Sequence, residues 1–390
     1  MSRQVGYCTN VHAGASWMET WDNLRRYAVA VRTSRGSDQP MGVGLWLSAN
    51  AAKQLVHAQQ VPALSQWLAE SRLIPFTFNG FPYGDFHQPR VKHQVYRPTW
   101  RQEPRREYTW QLAEILDQLL PPGAEGSIST LPVQWGTPWP TPEELAAAAH
   151  NLQHLARQLA QLEAETGRLI YVCLEPEPGC VLQRSDDVIR FFEDYLLDGA
   201  DERVIRRYLR VCHDVCHAVV MLESQSDVLE SYQRAGVQVG KMQLSSAICV
   251  DFDQLAGDER IEAIAQLRTF AEDRYLHQTM AVEPDGRETF YEDLPQALAA
   301  VEDPATCSAR WRIHFHVPVY LRGFGHLRGS QEAIREALAV AQRTHPELRH
   351  FEVETYAWGV LPDSLKVAEL AEGIAQEMKW LDSVWDRGSD

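Results

Sequence analysis

Short apolar runs rich in β-branched and aromatic residues alternate with long amphipathic stretches almost from end to end of this chain, and no other feature narrows its fold so far. Nine runs read as strands: residues 5–12, 42–48, 74–80, 127–134, 169–175, 209–214, 239–244, 311–317 and 351–355. The clearest helix between them, 141–165, opens with Thr141 as its cap, Pro142 at the first helical position and Glu143 and Glu144 in the first turn, then sets leucines at helical spacing. Residues 186–197, 222–235, 258–274, 330–343 and 364–381 repeat that pattern. Strands that alternate with helices are joined by crossovers, which predicts a parallel sheet.

About eight such units fit an α/β chain folded as a (β/α)8 TIM barrel better than an open doubly wound sheet. The first strand ends in TNVHAG, and neither GxGxxG nor GxxxxGK[ST] follows it, so the phosphate-cradling turns of nucleotide-binding sheets are missing. No Gly/Ser or Pro-rich linker interrupts the series, and residues 1–390 read as one barrel domain. Nine runs for eight places leave one extra strand. Two insertions stand out, at about 81–106, rich in Pro, Tyr, Trp and Arg, and at about 246–310, where YLHQTMAV, a PDG turn and ETFYEDL predict a β-hairpin.

Charge excludes further classes. With 53 acidic against 37 basic side chains, the net charge of -16 repels polyphosphate, so nucleic acid is not expected as a partner; the one basic stretch is 97–106. The opening MSRQVGYCTN has no signal-peptide core, and no run approaches the ~18 apolar residues of a membrane helix, so a cytoplasmic protein without membrane insertion is expected. Seven cysteines, several in apolar runs, read as reduced core thiols.

In a barrel the C-terminal strand ends build the active site. Here those ends carry Asn10 and His12, Asn79, Glu175, Asp214 followed by His217, Gln243, His314 and His316, and Glu352 and Glu354. Carboxylates converging at one mouth repel each other, and a divalent cation (Mn, Mg, Co or Zn) is the expected way to hold them ionised together. Glu352 and Glu354 share one face of their strand, and Glu354, nearer the strand's end, is the expected site residue of the two, while Glu177 and His213 are expected to face helices or solvent.

The order of Glu175, Asp214 with His217, and Glu354 resembles the xylose-isomerase-like barrel superfamily, which includes sugar isomerases, ketose 3-epimerases and endonuclease IV-type nucleases. The resemblance implies metal ligation by Glu175, Asp214, a strand-seven residue and Glu354, with His217 on the substrate. Two runs compete for strand seven: KMQLSSA, with Gln243 where a His is usual, and RIHFHV, with His316. On chemical grounds His316 is the expected ligand, imidazole being the stronger donor, which makes 311–317 the seventh strand and Gln243 a contact either to the metal's ligands or to the substrate. More narrowly, GYCTNVHAG, FTFNGFPYGDFH, LEPEPGC and HFHVPV look like the metabolite traffic protein EboE family. That implies a place in a secondary-metabolite pathway, a small-molecule metabolite as partner, and contacts with proteins of the same pathway.

The expected function is thus a metal-dependent sugar isomerase or epimerase acting on a small polyhydroxylated or carbonyl metabolite. Glu175 and Glu354 would be catalytic, Glu175, Asp214, His316 and Glu354 would hold the metal, and His12, Asn79, His217, Gln243 and His314 would bind substrate. A non-catalytic carrier or scaffold using the same pocket is the alternative, and an endonuclease IV-like phosphodiesterase the third reading.

Overall fold

The computed structural model describes residues 3–36 and 39–386. Eight parallel strands close on themselves: Gln4–Cys8, Met41–Leu45, Leu73–Asn79, Glu125–Thr130, Leu169–Leu174, Leu209–Asp214, Val239–Leu244 and His350–Val353. Closure is made by the first strand, which pairs with the last at Val5↔Phe351 and with the second at Tyr7↔Val43. The fifth strand, LIYVCL, is buried along its whole length, as expected where helices cover one face and the barrel interior the other.

The helices form where their caps say they should. Pro142–Thr166 starts in a capping box between Thr141 and Glu144 and stops at Gly167, whose φ of 71° provides the left-handed cap. Its buried stripe of Leu145, Leu152, Leu155 and Leu159 faces the barrel. The last helix, Leu370–Asp386, returns across the outside to pack on Val29–Arg35.

The seventh barrel strand is Val239–Leu244, and this corrects the expected assignment of 311–317. That run supplies Arg310–Ile313 to a second, six-stranded antiparallel sheet instead, inserted between barrel strands seven and eight. In spatial order this sheet holds Glu288–Tyr291, Thr279–Val282, Arg310–Ile313, Ile248–Asp251, Leu327–Gly329 and Gly323–Phe324. The insertion expected at 246–310 therefore runs on to Gly329, and the single extra strand is part of a whole sheet. The expected hairpin lies at its edge, with Glu288↔Val282 opposite each other and Gly286 at φ 86° in the turn. Sequence misplaces the 311–317 run for a physical reason. Trp311, Ile313, Phe315 and Val317 are buried as barrel-strand residues are, and nothing in their spacing says whether the neighbouring strands run parallel or antiparallel.

Candidate metal centre

The barrel interior is charged below its mouth. Lys241 and Glu352 are fully buried and form an ion pair at 2.6 Å, and Lys241 also reaches Ser129 Oγ at 3.3 Å. Gly44 makes this pair possible: a Cβ there would stand 1.3 Å from Glu352 Oε1. Alternation puts Gln243 on the same inward face as Lys241 and one step nearer the mouth, in register with Asp214 on one side and Glu352 on the other.

Three further carboxylates crown this layer. Glu175 follows the fifth strand, Asp214 ends the sixth and Glu354 follows the eighth, and one oxygen from each lies within 4.8 Å of the others. Asn10 Nδ2 at 2.8 Å and Asn79 Nδ2 at 2.6 Å both donate to Glu354 Oε1. Asp214 Oδ1 accepts from the His217 amide at 2.9 Å and from Ser245 Oγ at 2.8 Å. Burial, then the neighbouring Glu354 and Asp214, push Glu175 well above the usual carboxylate range; burial and Asp214 do the same to Glu354. Burial also pushes Asp214 upward, yet His217, His316 and its two donors hold it below its ordinary value.

His316 reaches this group from outside the barrel. It lies beyond the end of Arg310–Ile313, and its Nδ1 sits 2.7 Å from the Glu354 carbonyl, so that nitrogen carries the ring proton. Burial lowers its pKa to about 4, leaving a neutral ring whose Nε2 lone pair lies 4.0 Å from Asp214 Oδ2. Gln243 and His316 are thus not rivals for one strand: the first comes from barrel strand seven and the second from the accessory sheet.

Above the carboxylates lies a cavity of about 530 Å³, counting the part open to solvent. Its floor includes Asn10, Asn79, Glu175, Glu177, His217, His314, His316 and Glu354, while its roof is apolar and aromatic, with Phe81, Phe86, Val95, Tyr96, Leu276 and Tyr356. Apart from Tyr356 the roof comes from the two insertions, joined where Lys92 Nζ meets Tyr275 O at 2.7 Å, Glu272 O at 3.2 Å and Asp293 Oδ2 at 2.6 Å.

The structure brings Glu175, Asp214, Glu354, His316, His217, His314 and Asn79 together but not all the expected residues. His12 packs between Tyr7 and Tyr27, stacked on the latter at 4.5 Å, and does not line the cavity. Gln243 is fully buried beneath it, too deep for the substrate contact expected of it. Glu177, expected to face helices or solvent, is buried in the cavity wall, accepting from Tyr96 OH at 2.8 Å and Gln278 Nε2 at 3.1 Å. A turn through Pro178 and Gly179 folds the chain back there, which alternation along a strand cannot foresee. Tyr96, Gln278 and Tyr356 lie beyond the reach of the strand-end argument altogether, since they come from the insertions and from the segment after the last strand. Lys241 and Glu352 do carry a signal, being charges in the middle of apolar strands.

A closed eight-stranded barrel with its polar groups gathered at the C-terminal strand ends has the fold of xylose-isomerase-like TIM barrels. Among solved structures, the chain is similar to a xylose isomerase-like TIM barrel protein from Mycobacterium smegmatis, in complex with magnesium, at TM-score 0.54 and 11% identity over 99% of this chain and 97% of that one. It is also similar to the probable 3-DHS dehydratase AsbF from Bacillus anthracis, at TM-score 0.49 and 15% identity over 97% and 98% of the two chains. No family profile matches the sequence, and no curated protein matches it. No helix among the described residues is long and apolar enough to cross a membrane.

Proposed function

We propose that this protein is a divalent-metal-dependent enzyme of isomerase or epimerase type acting on a small oxygen-bearing metabolite. One observation carries the reading: Glu175 Oε2, Asp214 Oδ2, His316 Nε2 and Gln243 Oε1 are buried and have no protein partner. Each such group left unpaired costs roughly 1–3 kcal/mol, more when charged, and one cation among them relieves the cost. Carboxylates with one imidazole and an amide suit Mn, Mg, Co or Zn.

A bound ion would supply Lewis-acid polarisation of substrate oxygens. The rest falls to the chain. Glu175 and Glu354 are the catalytic candidates: each brings a carboxylate to the cavity floor, where it can accept a proton from a substrate carbon and return it. The amides of Asn10 and Asn79 fix Glu354 through Oε1. Asn79, His217 and His314 face the cavity and can orient hydroxyls. Gln243 stands beside the ion rather than the substrate.

The roof narrows the substrate. Lys92 is the one Lys or Arg lining the cavity among the described residues, and its ammonium is consumed by Asp293 and two carbonyls. A phosphate would find no free Lys or Arg there, which counts against phosphodiester cleavage and favours an unphosphorylated metabolite with one oxygenated and one apolar edge. A place in a metabolite traffic pathway, alongside other proteins of that pathway, is proposed from the sequence resemblance to EboE proteins alone.

The test is thermal unfolding of chelator-stripped protein with and without millimolar Mn²⁺ or Zn²⁺. Binding at 100 times Kd adds about 2.7 kcal/mol to native stability, so Tm should rise by several degrees, and Glu354→Gln should remove most of the rise. An unchanged melting curve, together with metabolite binding by the stripped protein, would overturn the enzyme reading in favour of a carrier.

A further inference from the structure

The roof of the cavity bonds its polar groups within the protein. Tyr96 OH donates to Glu177 Oε1 at 2.8 Å and accepts from Gln278 Nε2 at 3.1 Å, Tyr275 OH donates to the Phe86 carbonyl at 3.1 Å, and Tyr356 OH lies 3.4 Å from His314 Nε2. Lys92 Nζ is taken up by Asp293 and two carbonyls. The main chain does the same: the Phe81 carbonyl accepts from Arg105 Nη1 at 3.0 Å, and the Pro82 carbonyl accepts from Trp46 Nε1 at 3.0 Å and Tyr108 OH at 3.2 Å. The floor is the reverse. Asn10 Oδ1, Glu175 Oε2 and His316 Nε2 are buried without a partner, and among the described residues no roof side chain holds such an atom.

This division fixes how a substrate can lie. Adjacent oxygens held at the floor turn the far end of the molecule up under the roof. A polyol hydroxylated throughout would carry its remaining hydroxyls there, and each one buried without a partner lowers affinity about tenfold. A hydrocarbon end meets no such cost and gains by leaving water. The roof also says what shape of hydrocarbon it takes. Phe86 stands 4.9 Å from Tyr275 and 5.4 Å from Tyr356 between ring centroids, and those two tyrosines stand 5.0 Å apart. The three rings brace one another into a ready-made frame, and a further ring can add to it edge-on or in offset contact.

We infer that the substrate is an aryl-substituted metabolite, with a vicinal diol or α-hydroxy carbonyl head on the floor and an aromatic ring beneath Phe86, Tyr275 and Tyr356. The inference rests on the metal-dependent reading, whose ion holds the head. Specificity then lies in the two insertions and Tyr356, which form the roof, and the strand ends serve the chemistry alone.

Isothermal titration of the Mn²⁺-loaded protein with 1-phenyl-1,2-ethanediol and with erythritol, which has the same head and a hydroxylated tail, tests it. The phenyl diol should bind about tenfold tighter or more. Val95→Thr keeps the shape of a roof side chain and adds one hydroxyl, so it should narrow that ratio by about threefold or more while Mn²⁺ affinity stays that of the parent. Equal affinities, tighter binding of erythritol, or no binding of either diol at millimolar concentration overturns the aryl substrate and leaves the metal-dependent function standing. 1,2-Hexanediol binding as tightly as the phenyl diol overturns the aromatic ring in favour of a chain, and a ratio untouched by Val95→Thr overturns its place under the roof. The same preference in chelator-stripped protein upholds the aryl class and counts instead against the metal-dependent reading.

Discussion

Single residues decide whether the mouth of this barrel holds its shape, and Glu377 is the clearest case outside the site itself. From the last helix its Oε1 accepts from Thr355 Oγ1 at 2.5 Å and the Val319 amide at 3.1 Å, and its Oε2 accepts from Trp358 Nε1 at 3.0 Å. It thereby ties the chain just after Glu354 to the chain just after His316. Burial pushes its pKa up to about 7 despite those donors. A carboxyl raised in the folded state contributes stability that is fully present below its unfolded pKa of about 4.3 and is lost as pH rises through about 7. That contribution is on the order of 3 kcal/mol. Urea unfolding of stripped protein between pH 5 and 8 should therefore show Glu377→Gln losing less stability than the parent as pH rises. Parallel pH profiles would show that Glu377 does not titrate in this range. No sequence signal marks this residue, because QEM in an amphipathic helix gives no hint that its carboxylate turns inward. The converse holds for Glu175, Asp214 and Glu354. They are legible because a carboxylate that closes an apolar strand adds nothing to packing, and its recurrence on strand after strand points to a shared ligand.

Elements fail to be read where two of them compete for one role. Eight parallel strands and most helices follow from period and capping, as Thr141 and Glu144 show, but the run that carries His316 alternates apolar and polar residues as any strand does and gives no clue to which sheet owns it. The two insertions are visible in the sequence as interruptions, and their junction is not, since it depends on Lys92 meeting main-chain carbonyls of a loop 180 residues away. The Val91 and Lys92 amides add bonds to the Arg274 carbonyl at 2.8 and 2.9 Å. Lys92→Met keeps the stem and removes the ammonium, leaving Asp293 without that partner at a cost of about 1–3 kcal/mol. Hydrogen exchange should then show faster opening of the Val91 and Lys92 amides, with metal binding at the carboxylates unchanged. Equal protection in variant and parent would mean that the roof is held by its aromatic packing, such as Phe86 on Tyr275 at 4.9 Å, rather than by the ammonium.

For the molecule as a whole, the site sets a conflict between folding and binding that pH should expose. Without metal, Glu175 and Glu354 have pKa values well above the ordinary, because burial and the neighbouring carboxylates disfavour ionisation. The sign follows: their protons stabilise the fold below about pH 4 and that contribution disappears as pH rises through their folded values. Asp214, held below its usual pKa, works in the opposite direction and is ionised throughout the neutral range. A bound cation needs all three carboxylates deprotonated, so binding releases protons and strengthens as pH rises. The barrel should therefore show two crossing profiles. Stripped protein is expected to lose Tm from mildly acidic pH toward alkaline pH, while the increment from saturating Mn²⁺ or Zn²⁺ grows over the same range. Differential scanning calorimetry at pH 5.5, 7 and 8.5, with chelator and with metal, measures both. Asp214→Asn should flatten the metal increment at every pH, because it removes the ligand that is already ionised. A metal increment that stays constant across that range in the parent would mean that the ion does not displace protons from Glu175 and Glu354, and that it binds elsewhere on the barrel.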